Sequence, residues 1–310
     1  MNIQNAPQPL GVGFTWQPDV KESLGEGANF LDFYEISPDV LCRETVAQGR
    51  RRLAYQPSLL RAAVDAANQL PLVIHGLGLS IGSANGWNEE YVAILDEFHQ
   101  QQSFHWHSDH LAFLLTTTVD GDELHTGVPL PMPFTEAALD ILVPRAIAMN
   151  ERFKVPFLLE NLTYYLPDLP NDHGWDEIAF LNELTRQSGC GLLLDLYNFH
   201  CNAVNFGFDA LEALKRLRLE SVIEIHLAGG AVHDGFLTDI HTREVPEPVW
   251  QILEWIAPRA PNLAGIVYEV MEPAVPRLGP ETLTRQLERV RQVWDKYCRP
   301  VCAGGTYAAR

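Results

Sequence analysis

The sequence predicts a single (β/α)₈ barrel, and the prediction rests on how apolar residues are distributed. Eight short apolar runs alternate with longer amphipathic segments along the chain. Some runs are continuously hydrophobic, as at 156–159 and 191–194, which is typical of parallel strands covered on both faces. A strand followed by a helix, repeated eight times, favours a parallel sheet with right-handed crossovers that closes on itself.

The eight predicted strands share this apolar character and are residues 11–16, 30–37, 71–81, 104–113, 156–161, 191–198, 221–229 and 265–271. Six intervening segments place their apolar residues on one helical face, and these are residues 89–102, 135–153, 175–188, 209–219, 246–257 and 280–297. Several of them open on Asp or Pro, which suit the first helical turn. We therefore assign residues 1–300 to one barrel domain and expect 301–310 to be a disordered tail.

Charge and composition narrow the possible partners. The chain of 310 residues has 40 acidic and 22 basic residues, a net charge of −18. Nucleic-acid binding normally needs a concentrated basic surface, so nucleic acid is not an expected partner. The densest basic cluster, Arg50 to Arg52, is interpreted as the solvated end of a helix.

The expected location is the cytoplasm. No apolar stretch approaches the roughly 20 residues of a membrane span, and the first ten residues lack the pattern of a secretory signal. The five cysteines form no C-x-x-C pair, which is consistent with a reducing compartment.

The C-terminal ends of the predicted strands carry an unusual number of acidic and histidine side chains. Active sites of (β/α)₈ barrels lie at this end of the strands. A lone His there is usually a hydrogen-bonded core residue, and a lone Glu can be a helix cap. Six of eight strands that end in Asp, Glu or His are harder to explain, because these groups would repel one another without cations between them.

The strand ends therefore predict a metal centre. The nine candidate ligands are His75, His110, Glu160, Asp195, Asn198, His226, Asp239, His241 and Glu269. We expect Glu160 to bridge two ions, one held with the histidines of strands three and four and one held with the ligands of strands six to eight. Asn198, Asp239 and His241 could hold a third. Glu160, Asp195 and His226 are also the candidate catalytic residues, whereas His107 is expected to point away from the site.

The ligand types limit the choice of metal. Imidazole and carboxylate donors without cysteine suit iron, manganese or zinc. The residues alone do not decide between redox-active iron with dioxygen and a hydrolytic zinc or manganese cluster.

Several stretches resemble a known family in consistent order from about residue 10 to 275. They are 11–14 (GVGF), 75–83 (HGLGLSIGS), 108–111 (SDHL), 129–133 (PLPMP), 159–165 (LENLTYY), 194–198 (LDLYN), 205–209 (NFGFD), 225–229 (IHLAG) and 239–241 (DIH). With these motifs the chain resembles the multinuclear non-haem iron-dependent oxidases, the methanobactin-type and related enzymes that modify ribosomally made peptides.

The resemblance implies a xylose-isomerase-like barrel with two or three iron ions, Fe(II) and Fe(III), and O₂ as co-substrate. It further implies that the substrate is a precursor peptide, usually modified at a cysteine, and that a separate partner protein recognises that peptide. Carried over by position, His75, His110, Glu160, Asp195, His226 and Glu269 match metal-binding places. Asn198, Asp239 and His241 match the region of the third metal.

The chain also departs from the family pattern. Tyr197 precedes Asn198 where relatives commonly have two asparagines, and Gly230 stands where they have His. Asp109 replaces a Glu before His110, and Val270-Met271 follows Glu269 in place of Arg-Asp. These changes leave the first two metal positions intact and bear on the third metal and on the substrate.

The resulting hypothesis is an iron-dependent oxidase acting on a peptide side chain. Two alternatives remain from the sequence. One is a divalent-metal barrel isomerase or hydrolase, because related barrels use similar ligands. The other is a metal-binding accessory protein without turnover.

Overall fold

Eight parallel strands form a closed barrel in the computed structural model, which describes residues 7–47, 50–117, 120 and 123–298. In this part of the chain there are fourteen strands: β1 Gly11–Thr15, β2 Phe33–Ile36, β3 Cys42–Ala47, β4 Arg50–Tyr55, β5 Leu72–Gly76, β6 His107–His110, β7 Ala112–Thr117, β8 Glu123–Pro131, β9 Phe157–Glu160, β10 Gly191–Asp195, β11 Val222–Leu227, β12 Ala231–His233, β13 Phe236–Thr238 and β14 Gly265–Tyr268. The barrel order is β1-β14-β11-β10-β9-β6-β5-β2. All eight barrel strands fall within the predicted runs, so the predicted fold class is confirmed. The predicted tail, 301–310, lies outside the described residues.

Helices connect most of the barrel strands. The described α-helices are α1 Val20–Leu24, α2 Pro57–Ala67, α3 Glu89–Gln101, α4 Glu136–Phe153, α5 Glu177–Ser188, α6 Leu196–Phe206, α7 Ala210–Leu214, α8 Glu247–Ile256 and α9 Val275–Tyr297. Side-chain caps explain several starts, since Thr135 and Asp176 accept hydrogen bonds from the amides of Ala138 and Ala179. Helix α9 is broken at Gly279, whose φ of 74° is a left-handed conformation that glycine adopts without strain.

Three antiparallel hairpins were not expected from the sequence. They are β3–β4, β7–β8 and β12–β13, inserted after the second, fourth and seventh barrel strands. The interpretation of Arg50 to Arg52 as the end of a helix was wrong, because Arg50 begins strand β4. The predicted strand 104–113 is divided at Leu111 into β6 and β7.

Some predicted boundaries also move. The predicted strand 191–198 ends at Asp195, where α6 begins, so Asn198 lies in a helix. The predicted helix 209–219 is shortened to α7.

The barrel interior is apolar below the strand ends. Its packed side chains include Phe33, Trp106, Leu158 and Leu193, and the rings of Phe33 and Trp106 meet edge to face at 5.8 Å. A larger apolar layer lies between the strands and the surrounding helices. Because side chains alternate along a strand, the residue two places after Leu158 points the same way, and that residue is Glu160. The interior therefore changes from apolar to charged at the C-terminal ends of the strands.

Helices long and apolar enough to cross a bilayer are not found among the described residues.

Candidate metal centre

Two histidines face one carboxylate at the ends of β5, β6 and β9. His75 Nε2 lies 3.3 Å and His110 Nε2 lies 3.2 Å from Glu160 Oε2. His75 Nδ1 lies 2.9 Å from Ser108 Oγ, and that hydroxyl donates to the carbonyl of Ile74 at 3.1 Å. Because the hydroxyl proton is already committed, Ser108 accepts from Nδ1–H of His75. The unprotonated Nε2 of His75 then faces Glu160, as a metal ligand requires.

Glu160 also belongs to a second group, with Asp195, His226 and Glu269. Ligand atoms of these four residues all lie within 4.8 Å of one another. His226 Nδ1 is 2.9 Å from Glu269 Oε2 and 3.9 Å from Glu160 Oε1. Asp195 Oδ1 accepts a hydrogen bond of 2.6 Å from the amide of Asn198 at the start of α6. The other carboxylate oxygen, Asp195 Oδ2, remains available to a metal ion that the group could hold.

Polar atoms without hydrogen bonds are concentrated here. Within the described part of the chain, His75 Nε2, Glu160 Oε2 and Asp195 Oδ2 are buried and have no hydrogen-bond partner. Buried polar atoms are nearly always paired, so these orphans indicate a missing ligand. Burial, reinforced by Asp239 and Glu160, holds the pKa of Asp195 well above its usual range. A cation would satisfy the orphaned atoms and stabilise the ionised carboxylate, so the residues fit a metal.

Asp239 and His241 lie beside this second group. His241 Nε2 contacts Asp239 Oδ1, and His241 Nδ1 is 3.3 Å from Glu269 Oε1. His241 has φ of 46°, an uncommon backbone conformation for a residue other than glycine. The structure thus brings together two of the three residues predicted for a third metal.

The third residue, Asn198, is committed elsewhere. Its Oδ1 accepts from Thr163 Oγ1 at 2.7 Å, and its Nδ2 donates to the carbonyl of Asn161 at 3.2 Å. Its side chain therefore braces the segment after β9 and is not seen to join Asp239 and His241.

Two departures from the family pattern are in contact with each other. A Cβ atom at Gly230 would lie 2.7 Å from Tyr197 Oη and 2.1 Å from the carbonyl oxygen of Thr238. Position 230 therefore has no room for a side chain while Tyr197 and Thr238 keep their places. A side chain at position 230 would clash with Tyr197, which explains why this chain has glycine at position 230 together with tyrosine at position 197.

Two buried carboxylates were missed by the sequence reasoning. Glu35 Oε2 lies 2.8 Å from His226 Nε2, on the opposite side of the ring from Glu269. Burial opposes a charge on His226, but Glu35 and Glu269 outweigh it and hold the pKa of His226 well above its usual value. Glu224, also inside the barrel, accepts a 2.7 Å hydrogen bond from Trp106 Nε1. Glu35, Glu224 and His226 also offer ligand atoms within 4.8 Å of one another. If His226 binds a metal through Nδ1, Glu35 would fix the orientation of its ring from the Nε2 side. For Glu35, the only signal in the sequence was its position near the end of β2.

His107 points away from the centre, as expected. Its ring packs against Phe104, Phe153 and Phe157, and burial lowers its pKa to about 3. It is a neutral core residue.

The closed eight-stranded parallel barrel and its strand-end cluster define the class as a TIM barrel with a candidate metal centre. Solved structures agree on the fold. Endonuclease IV from Thermus thermophilus is 19% identical with a TM-score of 0.52, and the match covers 92% of this chain and 99% of that one. A xylose isomerase domain protein from Alicyclobacillus acidocaldarius is 11% identical with a TM-score of 0.53, over 93% and 99% of the two chains. At such identities these structures show the fold alone.

Sequence comparisons establish the family. Residues 11–295 match the family described as RiPP precursor modification enzyme MbnB/TglH/ChrH, in which RiPP denotes a ribosomally synthesised and post-translationally modified peptide. The chain belongs to this family, so the resemblance seen in the sequence is confirmed. Similar proteins include a UPF0276 protein of Chromobacterium violaceum, 35% identical over 84% of this chain and 88% of its own length. A UPF0276 protein of Caulobacter vibrioides is 33% identical over 74% of this chain and 79% of its own. Family membership indicates an enzyme that acts on a precursor peptide.

Proposed function

We propose that the protein is an iron-dependent oxidase that uses O₂ to modify a cysteine in a ribosomally made precursor peptide. The observation that carries the proposal is the position of Glu160. This one buried carboxylate belongs both to the group with His75 and His110 and to the group with Asp195, His226 and Glu269. One residue would therefore bridge two ions.

The donor types support iron as the metal. The candidate groups contain only imidazole and carboxylate donors, a set that suits iron, manganese and zinc better than thiolate-seeking metals. The resemblance of the sequence motifs to non-haem iron-dependent oxidases then favours a redox metal over a hydrolytic one. Bound iron would supply the electron transfer and dioxygen chemistry that amino-acid side chains lack. A third ion, if present, would be held by Asp239 and His241.

The chain's own residues would hold and orient this centre. Glu35 and Ser108 fix the rings of His226 and His75 from behind. Asn161 Oδ1 accepts from the amide of Asp195 at 2.9 Å, and Asn161 Nδ2 donates to the carbonyl of Asp195 at 3.0 Å. These paired contacts lock the strand end that carries the Asp195 carboxylate. Burial of the ligands keeps bulk water away from their inner faces.

Exposed apolar side chains beside the centre support a peptide substrate. Ile240, which lies between Asp239 and His241, is exposed, as are Met271 and Phe236. Phe236 meets the ring of Tyr165 edge to face at 5.7 Å, and Tyr165 Oη accepts a 3.3 Å hydrogen bond from the amide of Asp239. Exposed apolar surface of this kind often marks an interaction site. Recognition of the peptide by a separate partner protein is part of the proposal and rests on the family resemblance alone.

The proposal is tested by turnover with a defined metal. The protein is purified without oxygen, loaded with Fe(II) or with Zn(II), and incubated with candidate precursor peptides encoded beside its gene. We expect a fixed mass change on a cysteine-containing fragment, only with iron and only after O₂ is admitted. An equal mass change with zinc, or without O₂, would refute the oxidase. Mössbauer spectra of the iron-loaded sample would report the number and oxidation states of the ions.

A further inference from the structure

A cavity that is separate from the metal centre lies between the segment after β9 and helices α5 and α6. Its volume is about 410 Å³. Six of its lining residues are aromatic: Phe134, Tyr164, Trp175, Phe199, Phe206 and Phe208. Two are acidic, Asp176 and Glu177, and none of the lining residues is basic. A cavity so composed is complementary to positive charge.

Glu177 is the residue that distinguishes this cavity from an ordinary apolar cleft. Its side chain is nearly buried, at 7% exposure, and its Oε2 accepts a 3.2 Å hydrogen bond from Asn202 Nδ2. Burial, with a smaller contribution from Asp176, raises the pKa of Glu177 to about 8. Asp176 itself is paired with Arg216 on the surface. No Lys, Arg or His forms an ion pair with Glu177 within the described part of the chain.

The hydrogen bond from Asn202 satisfies Oε2 of Glu177 but supplies no counter-charge for the ionised side chain. Glu177 begins α5, where a carboxylate is stabilised by the helix dipole. That interaction is available to an exposed side chain, whereas a buried carboxyl among aromatic rings incurs a desolvation cost. The cost is offset when a cation enters the cavity.

We propose that this cavity binds an ammonium group at the end of an apolar chain, namely a lysine side chain of the precursor peptide. Aromatic rings attract cations to their faces, and a nearby carboxylate adds a charged acceptor. The apolar stem of lysine would pack against the remaining rings. Peptide as the source of the lysine rests on the proposed function, but binding of the ammonium group does not.

Helix α6 and the segment after β9 connect the cavity with the metal centre. Asn198 and Asn202, four residues apart on α6, face the same way and both bond to the segment after β9. Asn198 accepts from Thr163, and Asn202 Oδ1 accepts from the amide of Tyr164 at 3.1 Å. Asp195, a candidate ligand, caps the same helix, and Glu177 bonds to Asn202. A peptide crossing this segment could place one residue at the metal and a lysine in the cavity.

Binding is tested on the full-length, metal-free chain. The probe is N-acetyl-lysine N-methylamide, and its neutral counterpart is N-acetyl-norleucine N-methylamide, which has the same stem without the charge. Affinities are measured by calorimetry and by NMR chemical-shift changes for the wild type and for Glu177→Gln. Glu183→Gln, a change on the surface of the same helix, serves as the control variant. The amide oxygen of glutamine at position 177 can still accept the hydrogen bond from Asn202. Should Glu177→Gln nevertheless fail to fold, Trp175→Leu provides an independent variant of the cavity.

We expect saturable binding of the lysine probe to the wild type and to Glu183→Gln, and, at pH 9, where Glu177 is ionised, about tenfold weaker binding to Glu177→Gln. Raising the pH from 7 to 9 should strengthen binding to the wild type, because Glu177 ionises in that range, and should not do so for Glu177→Gln. The other titratable groups that face the cavity should not change charge in this range. Arg216 helps to lower the pKa of Asp176, which is already ionised, and burial raises the pKa of Tyr164, which stays neutral.

Equal binding of the norleucine probe, an unchanged affinity of Glu177→Gln, or no saturable binding would overturn the proposal. These outcomes are independent of turnover. A protein that oxidises its peptide but ignores the lysine probe would refute only the cavity's role, and one that binds the probe but fails to oxidise any peptide would refute only the oxidase.

Discussion

The strand-borne and loop-borne parts of the metal centre differ in how they are positioned. His110 and Glu160 are register partners on β6 and β9, and Asp195 and His226 are register partners on β10 and β11. Hydrogen bonding of the barrel strands therefore places these side chains next to one another. Asp239 and His241 follow the hairpin β12–β13, and His241 Nδ1 lies 3.3 Å from Glu269 Oε1 of the strand-borne group. Asp239 is the most exposed candidate ligand at 23%, whereas His241, at 10%, lies within the range of 0% to 18% found for the strand-borne ligands.

This difference indicates that the two proposed metal positions follow from the fold, whereas the proposed third depends on one loop. A barrel with this register cannot easily separate the first two groups, because moving one strand moves its neighbours. The loop can change without disturbing the barrel. Two departures from the family pattern, Gly230 and Tyr197, contact that loop at Thr238. The other departures, Asp109 and Val270-Met271, lie next to the strand-borne ligands His110 and Glu269, and the strand-borne ligands themselves all match.

The largest effect is expected from Glu160→Gln. Glutamine lacks the charge and the second equivalent oxygen that bridging requires, so both ions should be lost together. Iron content should fall below one ion per chain, and peptide oxidation should fall by about 10³-fold or more. Elemental analysis and mass spectrometry check the two results, with the exposed Glu212→Gln as a control. Full retention of one ion would show that the two groups do not share a ligand.

His241→Ala should remove at most one ion. Its imidazole contacts Asp239 and Glu269 and none of the strand-borne histidines, so the first two positions should keep their metal. The number of iron ions per chain, measured before and after dialysis, checks this. Loss of all iron would contradict the proposed independence of the strand-borne part.

Glu35→Gln should weaken metal binding without removing any ligand. The variant retains an oxygen near His226 Nε2 but loses the charge that orients the ring and increases its basicity, so affinity should fall by about 10- to 100-fold. Competition between the protein and a chelator for Co(II) gives the affinity, and the Co(II) absorption spectrum reports a change in ligand geometry. Unchanged affinity and spectrum would make Glu35 a purely structural residue. Glu26→Gln, on the surface, is the matched control.

The last prediction concerns the stability contributed by the cavity around Glu177 and leaves the metal centre out. The folded-state pKa of Glu177 is raised to about 8 from an ordinary value of 4.5, so its contribution to stability is present below pH 4.5 and is lost as the pH rises toward 8. The loss is at most about 1.4 kcal/mol for each pH unit in that window. Glu177→Gln should remove this pH dependence, as measured by urea unfolding of the metal-free protein at pH 5, 6.5 and 8. An identical slope in variant and wild type would place the titration elsewhere.

The proximity of most residues of the candidate centre could be predicted from the sequence because apolar strand runs end abruptly in charged residues. The runs before Glu160 and Asp195 are continuously apolar, so the strand ends were visible and the shared barrel mouth followed from the fold class. Carboxylates and histidines at several such ends then predicted a common site.

Other features left weaker signals. Leu196 and Tyr197 extend the apolar run of β10, which hid the start of α6 at that point and the capping contact of Asp195 with Asn198. Glu35 ends a strand like the candidate ligands do, and only its distance to His226 shows that it lies behind the ring. The cavity around Glu177 depends on rings contributed by distant segments, which no local pattern relates to one another.

X-ray diffraction data collected just above and just below the iron absorption edge test most directly whether two ions share Glu160. Crystals of protein purified without oxygen and loaded with Fe(II) should show two anomalous peaks. One should lie among His75, His110 and Glu160, and the other among Glu160, Asp195, His226 and Glu269. A single peak, or peaks away from Glu160, would contradict the account.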